Sequence, residues 1–195
     1  GMHDAEDTQM IELKHVTCAY GEKTPIRDLT LALPDAGVIA VFGASGSGKT
    51  TLLRLLAGRI QPASGTVEGL YGKRVSMVFQ EDRLLPWRTA LENVALVRDG
   101  SSGEAMCLLD AMELSAEAGK LPGALSGGMQ RRVALARALN FGGDMLLLDE
   151  PFKGLDEALR ARVIAAVRGR FPLTVIATHD RAEAEALGMT GEILV

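Results

Sequence analysis

The chain has 195 residues, 47% hydrophobic and 24% charged, with 22 glycines, 2 cysteines and a net charge of −4. These are the proportions of an ordinary globular chain, and they exclude collagen-like, disordered and disulfide-scaffold architectures. The negative charge argues against a nucleic-acid partner, which needs a basic face, and no run approaches the ~18 apolar residues that span a bilayer. The opening GMHDAEDTQ is polar and acidic and reads as no export signal, while Gly1 ahead of Met2 reads as the remnant of a cleaved tag. Cys18 and Cys107 lack metal-site or redox spacing and are expected as reduced thiols.

In chain order, Met10–Cys18 places apolar residues at Ile11, Leu13 and Val16, and Arg27–Leu33 places them at Leu29, Leu31 and Leu33. Such alternation predicts two strands of a small antiparallel sheet. Val38–Phe42 (VIAVF), Val75–Phe79 (VSMVF), Met145–Leu148 (MLLL) and Leu173–Ala177 (LTVIA) are short apolar runs suited to strands buried on both faces. Between Glu81 and Leu125 no such run occurs. That stretch predicts helices over Thr89–Val97, opened by a Thr89/Glu92 capping box, and over Glu104–Glu113. Leu159, Val163, Val167 and Phe171 recur every four residues behind Asp156, which predicts an amphipathic helix capped by that aspartate. Strand–helix alternation predicts an α/β fold with a mostly parallel sheet. The expected organisation is a core from residues 10–80 and 140–195, a small N-terminal antiparallel β part, and an inserted helical subdomain at about 81–139.

Three segments carry the chemistry. Gly43–Thr50 reads GASGSGKT, which matches G-x-x-x-x-G-K-[ST] between a predicted strand and the helix-like TLLRLLAG. Gly43, Gly46 and Gly48 let the backbone approach a polyphosphate, so that the amides of the loop, through Ala44, Ser45 and Ser47, form an anion nest ahead of a helix dipole. Lys49 supplies a charge to the outer phosphates, the Thr50 hydroxyl is a Mg²⁺ ligand, and Thr51 continues the site. Next, MLLL runs directly into Asp149 and Glu150. The first suits Mg²⁺ and the second suits a general base that orients water. Finally, Leu125–Arg132 reads LSGGMQRR. Ser126 with Gly127 and Gly128 forms a second helix N-terminus offering free N–H groups to an anion.

These three segments in this order resemble the ATP-binding cassette (ABC) ATPases, over nearly the whole length from Ile11 to Val195. The resemblance implies a P-loop NTPase core that binds ATP and Mg²⁺ and works as a head-to-tail homodimer, in which Ser126–Gly128 of one copy close on the nucleotide held by Lys49 of the other. It implies an adenine-stacking role for Tyr20, against the plainer alternative of a half-buried core aromatic. It also makes Gln80 a sensor of Mg²⁺ and water, His179 the switch histidine on the terminal phosphate, and Asp156 the cross-dimer signalling residue. Lys153-Gly154 departs from the Ser-Ala common at that place, and the chain stops soon after His179, where most members continue. The segment FQEDRLLPWRTALENV resembles importer ATPases for nitrate, sulfonates and taurine. That similarity implies a separate transmembrane permease, docked near Leu85 and Trp87, an extracytoplasmic solute-binding protein acting indirectly, and a cytoplasmic place at the inner membrane face. Trp87 packed inside the helical subdomain is the alternative at that position. Two alternative functions stand beside this one: a non-transport ABC ATPase of DNA repair or ribosomes, and an inactive nucleotide-binding regulatory module.

Overall fold

A computed structural model of the chain describes residues 10–21, 23–78, 83–98 and 102–195. Strands β1 (Ile11–Tyr20), β2 (Lys23–Leu33) and β3 (Gly37–Phe42) precede helix α1 (Lys49–Leu56) and strands β4 (Ser64–Glu68) and β5 (Val75–Val78). Helices α2 (Ala90–Ala95), α3 (Ser102–Ala111) and α4 (Gly127–Phe141) follow in succession. Strand β6 (Met145–Asp149), helix α5 (Glu157–Val167), strand β7 (Leu173–Ala177), helix α6 (Arg181–Leu187) and strand β8 (Gly191–Leu194) complete the order.

Two sheets result. β5-β6-β7-β3-β8 form an all-parallel sheet, and β2-β1-β4 an antiparallel one. Every residue of β6 and β7 is buried, as apolar runs covered on both faces require. Alternate side chains serve opposite layers. Leu146, Leu148 and Ile176 join Ala40 in a cluster with residues of α2 to α6. Met145, Leu147 and Val175 join Ile39, Val41, the leucines of α1 and the inner face of the antiparallel sheet. In the shared register Val41 pairs Ala177, and Ala177 pairs Asp149. The chain therefore leaves β3, β6 and β7 from one edge, where ligands of open α/β sheets bind.

The antiparallel sheet has a third strand, β4, beyond the two expected. Its register with β1 slips between Lys14 and Thr17, and Gly65, at φ 84°, sits where a Cβ would lie 2.3 Å from the His15 carbonyl oxygen. Only glycine permits that approach. β8 was likewise unexpected. The predicted helix over Leu159–Phe171 ends instead at Val167. Gly169 turns the chain at φ 72°, and Phe171 is buried beyond the helix. Asp156 caps α5 as expected, accepting from Leu159 N–H at 3.0 Å, and the Thr89/Glu92 box is made by both of its hydrogen bonds. Cys18 and Cys107 are both free. Among the described residues, no helix is long and apolar enough to cross a membrane.

Asn93 organises the segment ahead of α2. It is buried, and its amide donates to the carbonyls of Leu85, Arg88 and Thr89 while its oxygen accepts from Leu85 N–H at 2.8 Å. A fully satisfied buried amide of this kind fixes a loop in one conformation. Leu84 turns inward against the core, and Trp87 is left 69% exposed. The alternative in which Trp87 packs only inside the helical part is therefore excluded.

Candidate nucleotide site

The loop after β3 is shaped by glycine. Gly46 and Gly48 take φ of 78° and 112°, values that L side chains avoid. α1 begins at Lys49, so the unpaired N–H groups of its first turn open toward the loop. Lys49 Nζ donates to the carbonyls of Gly43 at 2.7 Å and Ala44 at 2.9 Å, which holds the ammonium over the loop. Ser47 Oγ is buried with no hydrogen-bond partner, an orphaned polar atom inside an anion-binding turn.

Asp149, at the end of β6, is 3% exposed. Burial pushes its carboxyl up, while the Thr50 hydroxyl, donating to Oδ2 at 2.7 Å, pulls it down. Among the described residues no three His, Cys, Asp or Glu side chains gather into a metal cage. One hydroxyl and one carboxylate suit Mg²⁺, which is commonly bound through one or two protein oxygens with phosphate and water completing its shell.

Glu150 sits at φ 46°, held there by its N–H bond to the Ala177 carbonyl at 2.9 Å. Such strain is concentrated at functional sites. His179 follows β7 and places Nδ1 2.9 Å from Glu150 Oε2. An ionised carboxylate can only accept, so Nδ1 is the donor of this pair. The turn bearing His179 is anchored from behind. Thr178 Oγ1 donates to Glu183 at 2.6 Å and accepts from Asp180 N–H. Burial raises the Glu183 carboxyl, against the pull of the Thr178 bond.

These groups meet in a cavity of about 480 Å³. Of the expected residues, Gly43, Ser45, Gly46, Gly48, Lys49, Thr50, Thr51, Asp149, Glu150 and His179 line it; Ala44 and Ser47 do not. Tyr20 ends β1 about half exposed and does not line the cavity. Gln80 lies outside the described residues. Ser126, Gly127, Gly128 and Asp156 also stand apart from it. Ser126 Oγ accepts from Met129 N–H and caps α4, and around Gly127 and Gly128 a Cβ would meet nothing within 4 Å. That second helix N-terminus is open surface. Gln130 ties the preceding turn by donating to the Pro122 and Leu125 carbonyls. Sequence reasoning missed Pro25 and Lys153 as lining residues. Nothing in the sequence marks Pro25; Lys153 stood out only as an unusual charge. Chemically, the cavity can seat a polyphosphate on backbone amides, hold a divalent cation beside it, and present a carboxylate–imidazole pair to its outer end.

A family model described as "ABC transporter" matches residues 26–153. The aliphatic sulfonates import ATP-binding protein SsuB 1 of Rhodococcus jostii (strain RHA1) is 42% identical over 185 residues, covering 91% of this chain and 76% of that protein. The protein of the same description from Paracoccus denitrificans (strain Pd 1222) is 38% identical over 183 residues, with coverage of 91% and 76%. Among solved structures, the dimeric post-hydrolysis state of the ATP-binding cassette MJ0796 bound to ADP and Pi superposes with a TM-score of 0.81 at 29% identity, covering 91% of each chain. A second dimeric structure of MJ0796, described as a bacterial ABC transporter cassette, gives a TM-score of 0.78 at 29% identity and the same coverage.

Proposed function

We propose, from the premise that this chain belongs to the ABC transporter family and is its ATP-hydrolysing subunit, that it powers uptake of a small organic anion, such as a sulfonate, through a separate membrane permease. The observation that carries this reading is the division of the phosphate-binding devices. The cavity holds Lys49, Asp149, Glu150 and His179, while the capped N-terminus at Ser126 lies open elsewhere. One copy thus supplies half of a site that a second copy completes.

In that site the loop amides of Gly43–Thr50 and the Lys49 ammonium bind the phosphates. Mg²⁺ held by Thr50, Asp149 and phosphate oxygens would neutralise charge developing on the leaving group. Glu150, oriented by His179 and aided by Gln80, takes the proton of the attacking water. Tyr20 stacks on the base. Ser126, Gly127 and Gly128 of the second copy close over the outer phosphates, and Asp156 carries the state of one site to the other. The helical segment of about residues 81–139 passes the closure to the permease, and an extracytoplasmic solute-binding protein delivers the cargo. The site of work is then the cytoplasmic face of the membrane. Support for import comes from the relatives named as import ATP-binding proteins. The non-transport alternative has no such support, and an inactive module would not need the assembled Lys49–Asp149–Glu150–His179 set.

Trp87 is the proposed contact with the permease. An exposed tryptophan on a rigid loop is the side chain most often found to dominate an interface. Trp87→Ala is expected to leave ATP hydrolysis of the free chain within about twofold. It should reduce both solute uptake and recovery of the permease from detergent-solubilised membranes by at least about tenfold. Unchanged uptake and recovery would remove the docking role; a chain that recovers no membrane partner in either form would remove the transport reading.

A further inference from the structure

We infer that Lys153 is a second lysine of the nucleotide site, facing the terminal phosphate and making the site favour a nucleoside triphosphate over a diphosphate. The inference rests on reading the cavity as the nucleotide site. Lys153 lines that cavity with Glu150 and His179. It lies in the turn between β6 and α5, where its N–H reaches the Glu150 carbonyl at 3.4 Å. The turn is fixed on both sides of it. Phe152 is 1% exposed, Leu155 packs against the same core, and Leu155 N–H closes on the Phe152 carbonyl at 3.2 Å. Gly154, at φ 80°, makes the bend between them.

The cavity lining carries both signs of charge. Lys49 is tied to two loop carbonyls, and the Asp149 and Glu150 carboxylates line the same cavity. A terminal phosphate that comes near these carboxylates meets like charge, which is costly in a partly desolvated cleft. Lys153 is exposed and makes no ion pair among the described residues. Its ammonium is therefore available to offset that repulsion with a charge-assisted hydrogen bond. On this inference a diphosphate, which lacks the terminal phosphate, gains nothing from Lys153, so the residue discriminates between the two.

The test compares dissociation constants for ADP and for the non-hydrolysable β,γ-imido analogue of ATP, using the intact chain, Lys153→Met, Lys153→Arg and Lys49→Ala. For Lys153→Met the triphosphate analogue should bind about three- to tenfold more weakly, as for a partly exposed charge pair. ADP should change by less than about twofold, and the triphosphate loss should shrink as salt is raised. Lys153→Arg should restore most of the difference. Equal weakening of both nucleotides, or of neither, in Lys153→Met would overturn the inference while leaving the site intact. Undiminished binding of both nucleotides by Lys49→Ala would overturn the reading of the cavity itself.

Discussion

Glu150→Gln is expected to bind ATP within about twofold of the parent chain and to hydrolyse it at least about a hundredfold more slowly, the range for loss of a positioned general base. The substitution keeps the shape of the site. Glutamine retains an oxygen able to accept from His179 Nδ1, which lies 2.9 Å from the carboxylate. The backbone bond from residue 150 to the Ala177 carbonyl does not involve the side chain. What disappears is the anionic oxygen proposed to take a proton from water. Phosphate release at saturating MgATP, together with equilibrium binding of ATP, separates the two quantities. A turnover within about tenfold of the parent would assign the base to another group.

The second large effect is expected at Gly48. A Cβ there would lie 2.5 Å from the Pro25 carbonyl oxygen and 3.2 Å from its carbonyl carbon. Both are main-chain atoms of β2, which is paired along its length with β1. Moving them disturbs the sheet, and φ 112° is itself unfavourable for alanine. Gly48→Ala should therefore displace the loop from the start of α1 and weaken ATP binding by at least about tenfold. Backbone strain of about 1–3 kcal/mol should lower the melting temperature by about 2–12 °C in a chain of this size. Gly46→Ala is the companion. It shares the left-handed φ, at 78°, but its Cβ would meet nothing within 4 Å, so it should show the strain without the collision. Equal and small effects at both positions would contradict the loop geometry.

The parallel core was legible because its strands are continuous apolar runs, and continuous runs ending in Gly43, Asp149 and Thr178 place their successors at one edge. The caps at Thr89, Ser126 and Asp156 were legible because a short polar side chain before an apolar helix has one structural use. β4 and β8 carried no comparable signal. SGTVE is exposed over its first three residues, and GEIL is an edge strand that alternates between intermediate and exposed positions. In β1 the buried positions Ile11, Leu13, Val16 and Cys18 are spaced two, three and two apart. The extra residue between Leu13 and Val16 is the first of three register shifts against β2, present in the sequence as a break in alternation. Helix α5 outran its true end on paper because Phe171 keeps the four-residue spacing, yet Gly169 turns the chain first and Phe171 reaches the core from the loop. The motif residues were readable one by one. The joining of Glu150 to His179, of Thr50 to Asp149, and the entry of Lys153 depend on distances between strands remote in sequence, which no local pattern encodes.

In the proposed pair, one chain supplies half of each ATP site and Ser126–Gly128 of another supplies the rest. Light scattering of Glu150→Gln with and without MgATP measures this most directly, since slow hydrolysis leaves a closed pair time to accumulate. The expected result is the mass of one chain without nucleotide and of two chains with MgATP, the pair being lost when Ser126→Arg places a charged, bulky side chain at the open end of α4. A variant that binds ATP yet keeps the mass of one chain, or a pair that persists with Ser126→Arg, would contradict it.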